Sequence, residues 1–279
     1  MRSALITGAS TGIGRATAVR LDGAGWRVYA GVRRQEDAEA LRAACSDRLT
    51  PLMLDVTDPE QIAAAAERVT AEQGRGLDGL VNNAGVAIPG PLETLPLADF
   101  RRQVDVNLTA QVAVTQAMLP AIRQAGGRIV FLSSIGGRIA FPLNGAYHAA
   151  KFGIEAVGDV FRQELRPWGI AVSIVEPGSI DTPIWERGAR NAEEIEARAH
   201  PDQDALYGSA IERFRKVVRD TAERGIPPEK VAKAIEHALS ADRPRTRYLV
   251  GIDAKVQAHL KPLIPTPVFD RIVAKAMGL

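Results

Sequence analysis

Seven short runs of β-branched and aliphatic residues alternate along this chain with longer segments in which apolar residues recur at helical spacing. Several runs are apolar throughout, which is typical of strands buried on both faces of a parallel sheet. Such alternation predicts an α/β fold with a doubly wound parallel sheet of about seven strands and helices on both faces. The predicted strands are Ser3–Ile6, Arg27–Gly31, Thr50–Leu54, Gly79–Asn82, Gly127–Leu132, Ile170–Val175 and Arg247–Val250.

The 279 residues show no internal repeat and no low-complexity linker, so we expect one domain over residues 1–279. Residues 180–224 follow the sixth predicted strand and are charged and helix-prone. An insertion at this sheet edge predicts a substrate lid, the alternative being surface helices that only cover the sheet. Residues 252–279 form an amphipathic C-terminal extension that prolines divide into short pieces. We expect it to dock on its own domain; closing the substrate mouth or touching a membrane surface are the alternatives.

Composition argues against several other functions. The net charge of +2 gives no strong electrostatic steering, and the short arginine runs are not interleaved with aromatic residues, so we expect no nucleic-acid partner. Cys45, in a predicted helix, is the only cysteine, which excludes an intrachain disulfide. The four histidines are far apart and predict no metal site. No signal peptide or bilayer-length apolar segment is evident, so we expect a cytoplasmic protein without a transmembrane segment.

A glycine-rich turn directly follows the first predicted strand and opens an apolar-periodic helix. Glycines let backbone N–H groups approach a pyrophosphate at the helix N-terminus, where the helix dipole favours anions. The spacing is GxxxGxG, which differs from the GxGxxG dinucleotide fingerprint. The turn predicts a phosphate site formed by Gly8, Ser10, Thr11, Gly12, Ile13 and Gly14.

The end of the second predicted strand bears on the choice of coenzyme. Sites that prefer NAD usually place a carboxylate here for the ribose 2′-hydroxyl. This chain instead has Val32 followed by Arg33 and Arg34. A guanidinium matches a phosphate with a planar fork of donors, so Arg33 favours NADP(H) over NAD(H). The alternative is that both arginines only face solvent at the start of a helix.

Polar residues also follow the third and fourth predicted strands. Asp55 and Val56 come directly after the third strand, where a carboxylate could accept a hydrogen bond from an adenine amino group. Asn83, Ala84 and Gly85 follow the fourth strand, where the asparagine could bind the backbone of the loop and leave small residues beneath a cofactor.

Tyr147 and Lys151 are four residues apart in a helical pattern and therefore share a face of that helix. A nearby ammonium, together with an oxidised nicotinamide, would lower the pKa of the phenol and make it a useful general acid/base. Tyrosine and lysine at this spacing also occur on helix surfaces without any function. Ser134 ends the fifth predicted strand and could bind a substrate carbonyl. Asn107 is a polar residue in the otherwise apolar long fourth helix.

Together these residues identify the chain as similar to the short-chain dehydrogenase/reductase family. The resemblance extends from residue 3 to about residue 250 and implies a single Rossmann-type domain. It is carried, in matching order and spacing, by Thr7–Gly14, Asp55, Asn82–Gly85, Asn107, Ser134, Tyr147, Lys151 and Pro177–Thr182.

The resemblance also implies roles. Tyr147 would be the acid/base, Lys151 would bind the nicotinamide ribose and lower the tyrosine pKa, Ser134 would orient the carbonyl, and Asn107 would hold a water in a proton relay. Thr11 departs from the Arg or Lys that many NADP-dependent members have before the second glycine. The segment expected to line the nicotinamide contains Pro177, Gly178, Ile180 and Thr182.

Within the family the chain looks similar to 17β-hydroxysteroid and retinol dehydrogenases, which implies an apolar, medium-sized alcohol or carbonyl substrate. The same chemistry on an acyl-thioester ketone or a sugar, and a nicotinamide-binding sensor without catalysis, stay open as alternatives. The family also implies a homodimer or homotetramer. Residues that could form an apolar pocket, or could equally be ordinary packing, are Phe141, Pro142, Leu143, Trp185 and Tyr207.

Overall fold

A computed structural model describes residues 1–198 and 201–279 of the chain. The described ranges contain seven strands, and each strand predicted from the sequence is present with its ends shifted by no more than two residues. The strands are β1 Ser3–Ile6, β2 Arg27–Val32, β3 Leu49–Met53, β4 Gly79–Asn82, β5 Arg128–Leu132, β6 Ala171–Pro177 and β7 Arg247–Val250.

All seven strands form one parallel sheet in the order β3-β2-β1-β4-β5-β6-β7. The order reverses between β1 and β4, because the chain builds outward from β1 in one direction and then returns to continue in the other. At such a point, loops at the carboxyl ends of neighbouring strands diverge and leave a crevice in which ligands bind. The predicted doubly wound fold is therefore confirmed.

Helices connect the strands and flank the sheet. Cys45 lies one residue beyond the second helix, not inside it as predicted, and it is half-buried. The helices, in chain order, are α1 Gly12–Gly23, α2 Gln35–Ala44, α3 Pro59–Glu72, α4 Leu97–Val104, α5 Ala110–Ala125, α6 Gly145–Glu164, α7 Ile184–Glu196, α8 Gln203–Glu223, α9 Glu229–Ser240, α10 Ile252–Leu260 and α11 Thr266–Met277.

Two apolar layers, one on each face of the sheet, explain why the strands read as unbroken apolar runs. In β1, Ala4 and Ile6 pack with residues of α1, α2 and α9. Leu5, between them, points to the opposite face and packs with residues of α3, α5 and α6. Because successive side chains of a strand alternate between faces, every residue of a doubly covered strand is buried. Each large side chain buried in this way contributes about 1.5–3 kcal/mol.

The segment predicted as a lid forms α7 and α8, and the C-terminal extension forms α10 and α11. Ala199 and His200 lie outside the described residues. Leu143, Ala210 and Met277 form a small separate core, with Val273 and Phe214 packed against it. This core joins α11 to α8 and to the loop before α6. The extension therefore docks on its own domain, as expected.

Candidate active site

A cavity of about 2170 Å³ opens where the carboxyl ends of the strands meet. It brings together residues that are far apart in sequence, and all but one of the predicted site residues line it. Those that do are Gly8, Ser10, Thr11, Gly12, Ile13, Arg33, Asp55, Val56, Asn83, Ala84, Gly85, Asn107, Ser134, Tyr147, Lys151, Pro177, Gly178, Ile180 and Thr182. The exception is Gly14, which lies behind the glycine-rich turn.

The glycine-rich turn needs its glycines for two different reasons. Gly8 and Gly12 have φ values of +64° and +53°, a left-handed conformation that costs a side chain energy. Gly14 is helical, but a Cβ there would lie 2.2 Å from the Gly8 carbonyl oxygen and 2.5 Å from the Asn83 side-chain nitrogen. The turn can close on α1 only because residue 14 has no side chain.

The loop after β4 is tied to this turn through Asn83 and Thr7. The Asn83 side-chain amide donates to the carbonyls of Thr7 and Gly8 at 2.9 and 3.0 Å. The Thr7 hydroxyl accepts from the backbone N–H groups of Asn83 and Ala84, both at 3.0 Å. The asparagine therefore fixes the loop by side-chain to backbone bonds. Small residues, including Ala84 and Gly85, are left lining the cavity.

Arg33 and Arg34 have different surroundings. Arg33 lines the cavity with its side chain 64% exposed, and its guanidinium lies 3.8 Å from the Asp55 carboxylate. Arg34 is paired with Asp37 at 2.9 Å and does not line the cavity. Hydrogen bonds from Thr57 and the charge of Arg33 outweigh burial and hold the pKa of Asp55 below its ordinary value. Asp55 is thus ionised at neutral pH.

Asn107 is not in a continuous α-helix, which corrects the predicted long fourth helix. Asp105–Thr109 form a single π-helical turn between α4 and α5. The Asn107 side chain accepts from the Val86 N–H and donates to the Val86 carbonyl, both at 2.9 Å. Such turns are rare and occur frequently at functional sites. Each amide atom of Asn107 retains one further hydrogen-bonding position.

The phenol of Tyr147 differs from the sequence-based expectation. Burial raises its pKa, and the Ser134 hydroxyl, which donates toward it, opposes that rise only in part. The Ser134 oxygen in turn accepts from the Gly136 N–H at 3.0 Å. The side chains of this chain therefore do not lower the tyrosine pKa by themselves. They keep Tyr147 in its protonated form at neutral pH.

The Lys151 amine points into the same region from the next turn of α6. It donates to the Leu132 carbonyl at 2.7 Å and lies 5.7 Å from the centroid of the Tyr147 ring. Burial lowers the pKa of Lys151 to about 8, and the charge of Glu155 opposes that change. The Lys151 ammonium has three N–H donors and uses one of them on the Leu132 carbonyl, so two donors are available to a ligand in the cavity.

The segment after β6 is held from the C-terminal extension. The Ser179 N–H donates to the Asp253 carboxylate of α10 at 2.7 Å. A Cβ on Gly178 would lie 2.3 Å from the same carboxylate. Thr182 lies above the glycine-rich turn, since a Cβ on Gly12 would come within 3.0 Å of its methyl group. Asp253 was not among the predicted site residues, and nothing in its local sequence indicates this contact.

The other end of the cavity is more apolar. Of the five residues considered for a pocket, Phe141, Leu143 and Trp185 line it, whereas Pro142 and Tyr207 do not. The Tyr207 hydroxyl donates to Glu93 at 2.5 Å. His148, which was not predicted, also lines the cavity. Its Nδ1 lies 2.9 Å from the Gly136 carbonyl, so that nitrogen carries the proton.

Four charged residues behind Lys151 were also missed, of which the two glutamates are buried and the two arginines are partly exposed. Arg138, Glu155, Glu176 and Arg247 come from four different segments and meet in ion pairs of 2.7–3.1 Å. One signal was available in the sequence. Glu176 interrupts an otherwise apolar strand directly before Pro177, where a charge needs a buried partner.

The chemistry of the cavity fits a dinucleotide. A turn with room for backbone only, a helix N-terminus and Arg33 suit phosphates, and the Lys151 amine can donate to ribose hydroxyls. Over residues 1–198 and 201–279, no three His, Cys, Asp or Glu side chains gather as metal ligands. Over the same ranges, no helix is long and apolar enough to cross a membrane.

Comparison with known proteins points the same way as the geometry. The model of the short chain dehydrogenase family matches residues 2–193. Retinol dehydrogenase 5 of Mus musculus is 41% identical over 280 residues, covering 96% of this chain and 86% of that protein. The 17-beta-hydroxysteroid dehydrogenase type 6 of Bos taurus is 40% identical over 284 residues, with coverages of 97% and 87%.

Two solved structures resemble the whole chain. A short-chain dehydrogenase from Streptomyces avermitilis has a TM-score of 0.77 and 33% identity, and covers 94% of this chain and 93% of its own. A short chain dehydrogenase from Burkholderia cenocepacia, in complex with NADP, has a TM-score of 0.71 and 27% identity, with coverages of 95% and 100%.

Proposed function

Because this chain belongs to the short-chain dehydrogenase/reductase family and is an alcohol dehydrogenase or ketoreductase of that family, we propose that it acts on an apolar, medium-sized substrate. In this proposal NADP(H) is the preferred coenzyme and Tyr147 is the acid/base. The proposed substrate is a primary or secondary alcohol, or its aldehyde or ketone. The relatives named for retinol and for 17β-hydroxysteroids support this class.

One observation carries the proposal: Ser134, Tyr147 and Lys151 line the same cavity as the glycine-rich turn, and that cavity continues to Phe141 and Trp185. Phosphate-binding backbone, proton-transfer groups and apolar side chains thus face one space, as binding of a dinucleotide together with an apolar substrate requires. A binding module without catalysis would need only the first of these three parts.

The protein's part in the reaction is to bind, orient and move one proton. When bound, the nicotinamide coenzyme supplies or takes up a hydride. Tyr147 donates its phenolic proton to the carbonyl oxygen in reduction and accepts the hydroxyl proton in oxidation. Ser134 donates a hydrogen bond to the same oxygen, and the π-helical turn at Asn107 holds a water for the proton relay. Lys151, with two N–H donors to spare, binds the ribose hydroxyls and keeps a positive charge beside the phenol.

For the coenzyme, we propose that Gly8, Gly12 and the N-terminus of α1 hold the pyrophosphate, with Ser10, Thr11 and Ile13 around it. Asp55 and Val56 border the adenine, Asn83, Ala84 and Gly85 lie beneath the ribose, and Pro177, Gly178, Ile180 and Thr182 border the nicotinamide. Arg33 faces the 2′-phosphate. Its contact with Asp55 at 3.8 Å is longer than a hydrogen bond, so the guanidinium is free to bind an anion.

Arg33→Ala should lower kcat/KM for NADPH by about 10- to 100-fold, because a charge-assisted pair with a phosphate contributes about 1.5–3 kcal/mol. The value for NADH should change by less than about threefold. Arg34→Ala is the matched control, since Arg34 is already paired with Asp37 and does not line the cavity. Initial rates with both coenzymes check this. Equal efficiency of the wild-type enzyme with NADPH and NADH would contradict the assignment of Arg33.

We also propose that residues 180–224 are a substrate lid. Its helix α7 begins at Ile184, just after Thr182, and Trp185 and Gly188 of that helix line the cavity. The Asn191 side chain donates to the Ala87 carbonyl at 2.8 Å, which holds the helix over the loop after β4. The extension at 252–279 closes the same end, because Met277 of α11 lines the cavity as well.

We also propose that the protein is a homodimer or homotetramer. Helix α6 buries the Lys151 side of its surface but exposes Phe152 and Val160, which are 45% and 50% accessible. Apolar side chains on the outer side of a helix are a feature of subunit interfaces. We propose that a second copy covers this surface of α6.

A screen of NADPH consumption over steroids, retinoids, aliphatic aldehydes and cyclic ketones tests the substrate class. We expect turnover with at least one of these apolar carbonyls, because the pocket walls at Phe141, Leu143 and Trp185 bury apolar surface. Acyl-thioester ketones and sugars belong in the same screen as comparison substrates. Turnover confined to those would overturn the apolar class, and NADPH binding without turnover of any carbonyl would indicate a sensor.

A further inference from the structure

Two buried carboxylates and two partly exposed guanidiniums meet directly behind the Tyr147–Lys151 turn of α6. We name Arg138, Glu155, Glu176 and Arg247 the charge cluster. Arg138 follows the Ser134 loop, Glu155 belongs to α6, Glu176 is the residue before Pro177 in β6, and Arg247 begins β7. Three of these four segments also carry residues of the proposed site, so the cluster connects them from behind.

Glu176 is the centre of the charge cluster. Its side chain is completely inaccessible, although the rest of β6 is apolar apart from Ser173. Arg138 approaches it with two nitrogens, Nη2 at 2.8 Å from one carboxylate oxygen and Nε at 2.7 Å from the other. Arg247 Nε lies 3.1 Å from the first of these oxygens. A carboxylate can be buried this deeply because the positive charges of two guanidiniums compensate its negative charge.

Glu155 joins α6 to the same two strands. It accepts from Arg247 Nε at 3.1 Å, so one guanidinium links both carboxylates. Asp159, one turn further along α6, accepts from Arg247 Nη2 at 2.7 Å but is partly exposed and also pairs with Arg162.

Backbone packing shows how closely these segments meet. A Cβ on Gly137 would lie 2.6 Å from the Ser133 hydroxyl, 2.9 Å from the Lys151 carbonyl oxygen and 3.0 Å from the Glu155 side chain. The Ser134 loop is therefore pressed onto the turn of α6 that carries Lys151. A movement of Glu155 would be transmitted to both Ser134 and Lys151.

We propose that the charge cluster is a positioning device for the active site. Glu155 places a negative charge one helical turn from the Lys151 amine. Through Arg247 and Glu176, Glu155 also fixes α6 against the Ser134 loop and the end of β6. This inference rests on the proposed function, since it concerns how Lys151 is kept ready to bind the coenzyme ribose.

The charges around Glu155 determine the sign of the effect. Lys151 and Asp159 face it from α6, Arg247 from β7 and Glu176 from β6, and Arg138 compensates Glu176 from the loop. Burial and the charge of Glu176 raise the pKa of Glu155, while the Arg247 guanidinium favours its ionised form. The Glu155 carboxylate raises the pKa of Lys151, against the larger effect of burial.

Glu155→Gln therefore lowers the pKa of Lys151 below its value of about 8. Coenzyme binding through the ammonium is complete below that pKa and is lost as the pH rises through it. The measurement is the Kd of NADPH by fluorescence titration from about pH 6 to about pH 10. In the wild type we expect the Kd to begin rising near pH 8, and in Glu155→Gln to begin at least about half a pH unit lower.

Asp159→Asn is the matched control. It removes the same charge from the same helix and from the same Arg247, but two turns from Lys151. A purely structural role for the cluster predicts a lower Tm for both variants and the wild-type pH dependence of Kd for both. Positioning predicts the shift for Glu155→Gln alone. If Glu155→Gln does not fold, Glu155→Asp takes its place, because the shorter side chain withdraws the carboxylate from Lys151 and should shift the dependence in the same direction.

The failures can be told apart. A folded Glu155→Gln, or a folded Glu155→Asp in its place, with the wild-type pH dependence overturns the positioning role and leaves the proposed function intact. A wild-type Kd that is constant over the whole pH range contradicts the role of Lys151 in coenzyme binding, and with it this inference. The wild-type curve is therefore measured first.

Discussion

Tyr147→Phe is expected to lower kcat by at least about 100-fold, and by up to about 10⁴-fold, because a positioned general acid/base contributes that much to a proton transfer. The phenylalanine ring fills the same space and removes only the hydroxyl. Since the substitution leaves Arg33 and the glycine-rich turn unchanged, and both are proposed to bind the coenzyme phosphates, the Kd of NADPH should change by less than about threefold. Stopped-flow single-turnover rates and fluorescence titration separate the two quantities.

The pH dependence of the reaction rate in each direction follows from the raised pKa of Tyr147. Carbonyl reduction needs the protonated phenol, so its rate should be constant through neutral pH and fall as the pH rises through the tyrosine pKa. Alcohol oxidation needs the phenolate and should rise over the same range. Tyr147→Phe should show neither change.

Tyr29→Phe is the matched control for this substitution. The Tyr29 hydroxyl bonds to Glu72 and Gln73, both at 2.9 Å, and lies outside the cavity. Its loss should lower the free energy of unfolding by about 1 kcal/mol without changing kcat. Retention of full activity by Tyr147→Phe would refute the acid/base assignment.

Gly14→Ala is expected to have the second large effect, on coenzyme binding. The new methyl group would meet the Gly8 carbonyl oxygen and the Asn83 amide at less than van der Waals distance. Gly8 belongs to the turn that is proposed to hold the pyrophosphate, and Asn83 ties the loop after β4 to that turn. Such overpacking costs about 1–3 kcal/mol or more and must move the turn or α1. We expect the Kd of NADPH to rise by at least about 30-fold and Tm to fall by several degrees.

Gly23→Ala, at the other end of the same helix, makes the same chemical change in open space, because no atom lies within 4 Å of the position of its Cβ. It should leave the Kd unchanged and raise the stability by about 0.5–1 kcal/mol, as alanine is the better helix former. Unchanged NADPH binding by Gly14→Ala would show that the turn does not hold the phosphates.

The sheet and most of the cavity wall could be predicted because their signals are local. A strand such as Ser3–Ile6 is recognisable from consecutive residues, and in a parallel sheet the residues after each strand necessarily reach the same edge. Gly8, Asn83, Ser134 and Tyr147 could therefore be placed together without knowledge of any contact between them.

What could not be predicted depends on contacts between distant segments. The π-helical turn at Asn107 is stabilised by the backbone of Val86, which no periodicity in that helix indicates. The sequence predicted that Lys151 together with an oxidised nicotinamide would lower the tyrosine pKa, but it gave no sign that burial, which is set by the whole fold, raises the pKa of Tyr147. Glu155 reads from the sequence as a polar position on α6, and only the fold shows that Arg247 reaches it.

The position of Arg247 in the chain has a consequence for how the enzyme matures during synthesis. A ribosome releases the glycine-rich turn first, then Ser134, Tyr147 and Lys151, and only much later β7. Until Arg247 emerges, Glu155 lacks its guanidinium partner in the charge cluster, and Glu176 has Arg138 alone. We therefore expect the glycine-rich turn to become ordered earlier during synthesis than the turn of α6 that carries Lys151.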